Sequence, residues 1–166
     1  MRQFFFSTPS NQASDEKKLS IQLTDDGEIT IQAVDETLSF DEKNKPVFGN
    51  TTGELVVEYS GLATDGNITR SWAKATFQPD GISQLHYHNE RAENYYIVEG
   101  RARVTLNDIP HELSAGGTIT VPSGVRHQVQ NITANYGLLV LIVKCEPAWT
   151  VADLHFIDPP SVTHRF

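Results

Sequence analysis

The sequence has a single cysteine, Cys145, in 166 residues. No intrachain disulfide framework can form, which fits a reducing compartment. Cys145 follows the apolar run 138–143 and reads as a buried, inert thiol. Basic residues are also scarce: 13 Lys and Arg against 21 Asp and Glu leave a formal charge of -8. An acidic surface attracts neither nucleic acid nor an anionic membrane, so neither is an expected partner. Long apolar runs are missing as well. Nothing approaches the roughly 18 apolar residues of a membrane span, and the phenylalanines at 4–6 fall short of the roughly 7–15-residue core of a secretory signal. A cytoplasmic protein is expected. Without an export signal, the sequons at Asn50, Asn67 and Asn131 read as coincidental.

Helical periodicity is also lacking: no convincing ten-residue helix precedes the C-terminus, and no internal repeat is visible. What is present has period two. Leu19, Ile21 and Leu23 alternate with polar residues, 25–27 supplies a turn, and Ile29, Ile31 and Ala33 alternate again, a hairpin signal. The polar residues 7–18 before it read as a mobile arm. Residues 41–46 form a charged loop, 53–59 a strand, 65–67 a turn, and 69–77 carry Trp72 and Phe77 into the next strand. Beyond it, turns at 79–81, 89–92, 107–110, 115–117 and 123–124 separate short strands, and 151–157 makes one more short strand or a helical turn. Such spacing predicts an all-β sandwich or jelly roll in a single domain.

Residues 81–131 carry the chemistry. On a strand, alternate side chains share a face, so His86 and His88 point the same way and Tyr87 the other. Residues 89–92 read as a hairpin connection that sets Glu93 on the neighbouring strand, opposite the two histidines. The turn at Pro122-Ser123-Gly124 lets His127 enter from the opposite sheet. Each residue alone would pass as an ordinary core or surface group. Together they supply three imidazoles and one carboxylate, a donor set for iron, manganese, nickel, zinc or copper. His111 reads as surface, and nothing supports a second site from His155 and His164.

The order His-x-His, Glu93 and Gly100, followed by Gly116, Pro122-Ser-Gly124, His127 and Asn131, resembles the two-motif signature of the cupin superfamily across about 69–146. It departs from the commonest form in having four residues, not five, between Gly81 and His86. The resemblance implies a double-stranded β-helix, the cupin jelly-roll barrel, with His86, His88, Glu93 and His127 as ligands of one divalent transition metal ion. It divides the chain into an N-terminal arm and β extension (1–50), the barrel (51–158) and a tail (159–166). By analogy with the family, the extension is expected to serve a homodimer.

Four protein ligands on an ion that prefers six leave two positions for water or substrate. The ion and one carboxylate sum to a formal charge of about +1, which favours a small anionic, enolic or sugar-like oxygen donor. By strand parity Gln84 and Tyr95 face inward with His86 and Glu93, and Val129 with His127. Tyr95 and Glu93 are therefore the candidates for moving a proton. Arg91, in the turn, reads as solvated. Because second proton-transfer groups are scarce, the expected activity leans to a dioxygenase. A metal-dependent isomerase, epimerase or lyase is the alternative, and a non-catalytic small-molecule or sugar-binding barrel the third reading.

Overall fold

The computed structural model describes residues 2–7, 18–23, 28–32, 37–59, 69–157 and 164–165. The chain divides into two compact units, Met1–Lys45 and Pro46–Phe166. Among the described residues there is no α-helix, so none is long and apolar enough to cross a membrane.

In the first unit β1 (Arg2–Ser7), β2 (Lys18–Leu23), β3 (Glu28–Gln32) and β4 (Thr37–Asp41) form an antiparallel sheet in that order. The expected hairpin is β2 and β3, in a register that sets Ile21 against Ile31 and Leu23 against Ile29. Ile21 and Ile31 are buried, as the alternation requires. Ser7 and Lys18, read as the ends of a mobile arm, pair with each other across β1 and β2. The turn at 25–27, Ala33 and the arm between Ser7 and Lys18 lie outside the described residues, as does the turn at 65–67.

The second unit contains β5 (Val47–Gly49), β6 (Glu54–Glu58), β7 (Ser71–Phe77), β8 (His86–Tyr87), β9 (Ala92–Glu99), β10 (Arg101–Leu106), β11 (Ile109–Ser114) and β12 (Thr118–Val121). It continues with β13 (His127–Asn131), β14 (Leu139–Glu146), β15 (His155–Phe156) and β16 (His164–Arg165). Residues 151–157 supply both elements expected of them, a 3-10 turn at Val151–Asp153 and then β15. One sheet has the order β12-β9-β14-β7-β6-β5-β16, the other β11-β10-β13-β8-β15. Phe77, Tyr95, Ile97 and Leu141 from the first meet Ala102, Val104 and Val129 from the second in one core, so the sheets pack face to face in the cupin manner. Each large apolar side chain buried there contributes about 1.5–3 kcal/mol. The exposed pairs of Arg101 and Arg103 with Glu112 contribute ~0–1 kcal/mol each. The core therefore decides the register.

Two motif residues act on the backbone. Gly100 turns β9 into β10 at φ +82°, and a Cβ there would collide with the Leu138 carbonyl. Asn131 is buried at the end of β13. Its Nδ2 donates to the carbonyls of Phe77 (3.2 Å), Gln78 (2.9 Å) and Gly137 (2.9 Å), while its Oδ1 accepts the Thr133 N–H. That amide ties one sheet to the other.

Candidate metal centre

The five-stranded sheet carries His86 and His127. β13 runs beside β8 with His127 directly opposite His86, and their ring centroids lie 4.2 Å apart. His88 follows the end of β8. Glu93 comes from β9 in the other sheet, between Val121 of β12 and Cys145 of β14. This corrects the expected arrangement. The 89–92 stretch is a crossing from one sheet to the other rather than a hairpin, so Glu93 faces the histidines across the interior and His127 stands beside them.

The ligand-capable atoms of His86, His88, Glu93 and His127 all lie within 4.8 Å of one another. Backbone carbonyls fix which imidazole nitrogen points inward. Nδ1 of His86 lies 2.7 Å from the Gln84 carbonyl, that of His88 2.7 Å from the Asp153 carbonyl, and that of His127 2.9 Å from the Val125 carbonyl. A carbonyl only accepts, so each Nδ1 carries the proton and each Nε2 faces the cluster. Burial, followed by the neighbouring His127, pushes the His86 pKa down to about 3, so its Nε2 is a lone-pair donor at neutral pH. The buried His127 Nε2 lies 3.3 Å from Glu93 Oε2 and has no hydrogen-bond partner, because an Nε2 without a proton and a carboxylate oxygen both only accept. An orphaned buried nitrogen among two imidazoles and a carboxylate is what a metal ion would satisfy. The residues present fit such an ion.

Glu93 is the hub. Burial pushes its carboxyl up, and the His127 and His88 imidazoles outweigh that, holding it well below the usual carboxylate range. Tyr95 donates to Glu93 Oε2 at 2.6 Å. Burial and the Glu93 charge keep the tyrosine proton in place far above its ordinary range. Cys145 is buried, as expected, with Sγ 3.6 Å from Glu93 Oε1.

Arg91 overturns its sequence reading. It is 2% exposed, not solvated. Its Nε donates to Glu93 Oε1 (3.2 Å), its Nη2 lies 3.0 Å from His88 Nε2, its Nη1 donates to the Thr150 carbonyl (3.3 Å), and its guanidinium lies over the Trp149 ring. Asp153 was not singled out in the sequence at all. Its carboxylate accepts the backbone N–H groups of Asn89, Glu90 and Arg91 while its carbonyl holds His88. His111 is exposed, and His155 stacks on Tyr87. Among the described residues neither joins the cluster.

A cavity of about 350 Å³ opens on His86, Glu93, Tyr95 and Arg91. Gln84 and Val129 line it as strand parity requires. Its walls are largely apolar, with Phe48, Trp149 and Phe156 among them, and two carboxyls interrupt them. Glu54 and Glu58 face inward because β6 alternates, with Val56 between them. Burial, followed by the Glu93 charge, pushes Glu54 up to about 7. Burial likewise pushes Glu58 up to about 7 against the pull of Arg91. The expected scarcity of proton-transfer groups is therefore wrong. The signal was in the sequence as Glu-Leu-Val-Val-Glu, but a strand with polar ends gives no sign of which face looks into a cavity.

Residues 73–143 match the cupin-domain family Cupin_2. With the fold, this match shows a cupin fold around those residues. Over 80 residues, 48% of its length, it is 34% identical to the uncharacterized protein MJ1618 of Methanocaldococcus jannaschii. Over 68 residues, 41% of its length, it is 39% identical to protein SchB of Streptomyces halstedii. These matches span 63% and 49% of the two relatives, so the chain covers between about half and just under two thirds of the curated proteins it resembles. Among solved structures, Streptomyces Pac13 with uridine, described as a nucleoside dehydratase, superposes with a TM-score of 0.60 at 17% identity, over 74% of this chain and 92% of that one.

Proposed function

We propose that this chain is a metal-dependent enzyme that binds one divalent transition metal ion through His86, His88, Glu93 and His127. Its reaction is of the isomerase or lyase type, a proton moved on a small oxygen-donor substrate with an apolar body. The observation that carries this reading is that one cavity opens on both His86 and Glu93 of the four-residue cluster and on Glu54, a carboxyl poised near neutral pH. When bound, such an ion supplies a Lewis acid that polarises a substrate oxygen.

The side chains divide the remaining work. Glu54, oriented by Asn50 Nδ2 at 2.9 Å, is the acid or base, because a group titrating near the working pH can both take and return a proton. Tyr95 keeps its proton and donates a hydrogen bond to Glu93, and so acts by holding that carboxylate rather than by touching substrate. The apolar walls exclude water and receive the substrate's body. The dioxygenase reading rested on a lack of such groups, and Glu54 and Glu58 remove that ground.

Elemental analysis of untagged protein is expected to give about one metal equivalent, and Glu93→Gln should lose it by tenfold or more in affinity. The chemistry is tested by solvent deuterium exchange at the carbon next to the carbonyl of phenylpyruvate, an enolisable probe with an aryl body. Wild-type protein should accelerate exchange, and Glu54→Gln should slow it by about 100-fold with metal retained. Full exchange in Glu54→Gln would remove Glu54 from the mechanism. Oxygen uptake by an iron-loaded protein with no exchange would return the dioxygenase reading.

A further inference from the structure

His88 has only one lone pair to give. Its Nδ1 proton is committed to the Asp153 carbonyl at 2.7 Å, so Nε2 is a pure acceptor with a single lone pair in the ring plane. Arg91 Nη2 takes that lone pair at 3.0 Å. A metal ion ligated by His88 needs the same one, so the two occupants exclude each other. Glu93 is under no such constraint. A carboxylate oxygen has room for both Arg91 Nε and an ion.

Arg91 cannot answer by leaving. It is 2% exposed, and its other anchors are Glu93, the Thr150 carbonyl and the face of Trp149. Release from His88 therefore leaves a buried guanidinium N–H without an acceptor, a costly state. Arg91 lines the cavity, so the acceptor that can reach it there is an oxygen of the cavity's occupant. A planar carboxylate matches the guanidinium fork.

We infer that Arg91 is the anion-binding residue of this cavity, and that filling the metal site moves its Nη2 from His88 to the carboxylate of a ligand with an apolar body. This rests on the metal reading above and goes beyond it, naming the substrate class as a monocarboxylate and coupling its binding to the metal. Before metal binds, Arg91 is the resident cation of the site. Afterwards it is the ligand's partner.

Arg91→Met keeps the length and the apolar contacts while removing the charge and every N–H. Titration calorimetry with Mn²⁺, and then with benzoate on the Mn²⁺-loaded protein, reads both consequences. The variant should bind Mn²⁺ about tenfold tighter, because the competitor for His88 is gone, and benzoate about tenfold weaker. Benzamide, the neutral isostere, should bind both proteins alike. Opposite changes in one variant are not what a merely structural residue gives, since local damage would weaken both ligands. Mn²⁺ binding that is unchanged or weaker in the variant overturns the inference, and so does unchanged benzoate affinity, which would mean that the freed N–H turns to the unpartnered Oε1 of Glu58. Wild-type protein that takes up no Mn²⁺ overturns the metal reading, and this inference with it. Should Arg91→Met fail to fold, Arg91→Lys, which keeps the charge but lacks the fork bridging Glu93 and His88, carries the same expectations at smaller size.

Discussion

Glu58 shows how a single buried side chain makes the whole protein sensitive to pH. It is 4% exposed, its Oε1 has no hydrogen-bond partner, and burial raises its pKa from 4.5 to about 7. A raised folded-state value means that folding favours the protonated form. The stability this contributes is complete below about pH 4.5 and is lost as pH climbs through about 7. A shift of this size corresponds to as much as ~3 kcal/mol. Glu58→Gln, which holds the neutral form at every pH, should match wild type in urea melts at pH 5 and exceed it by up to that amount at pH 8. Equal stability at both pH values would mean that water or a neighbour satisfies Glu58 after all. The unpartnered His127 Nε2 in the same interior calls for a cation, whereas Glu58 calls for a proton.

At the scale of elements, the 3-10 turn at Val151–Asp153 governs a loop more than sixty residues earlier in the chain. Burial would push the Asp153 carboxyl up, and the N–H groups of Asn89, Arg91 and Glu90 hold it below its ordinary value instead. Those bonds set the path of the crossing between β8 and β9, and hence the separation of His88 from Glu93. Asp153→Ala is therefore expected to weaken metal binding by about 10–100-fold in calorimetric titrations, although the carboxylate it removes touches no ligand of the ion. Unchanged affinity would show that β8 and β9 hold the spacing without help. This element also marks the limit of what the sequence discloses. The strands, the hairpin of β2 and β3 and the inward parity of Gln84, Tyr95 and Val129 were legible, because side-chain alternation and turn chemistry are local properties. The short gap between His88 and Glu93 suggested nearest-neighbour pairing, the commoner outcome, whereas the chain changes sheets there. Arg91 and Asp153 escape a sequence reading for a related reason: Arg91 is engaged by Trp149 and Thr150, and Asp153 by residues 89–91, each far from the other along the chain. Glu54 and Glu58 lie within the strand expected over 53–59 and give no further signal, because their company, Glu93 and Arg91, is distant in sequence.

For the whole molecule, the expected homodimer is open to direct measurement. The four strands of the first unit pair only with one another among the described residues, leaving β1 and β4 as edges, and edges of this kind invite a partner strand. Light scattering should give twice the 18.5 kDa chain mass at micromolar concentration, and a single chain mass would remove the dimer. The cavity has a further consequence. Its histidine, glutamate and tyrosine side lies within the family-matched residues 73–143, but Phe48, Asn50, Glu54, Glu58, Trp149, Leu154 and Phe156 lie outside them. The candidate metal ligands and Arg91 thus lie in one stretch of chain, and Glu54 with much of the apolar wall in two others. Mutation at Phe48, Val56, Leu154 and Phe156 can re-tailor the guest's apolar body while the metal ligands, Arg91 and Glu54 pass unaltered from one generation to the next, which makes those positions the natural place to build a library for new substrates.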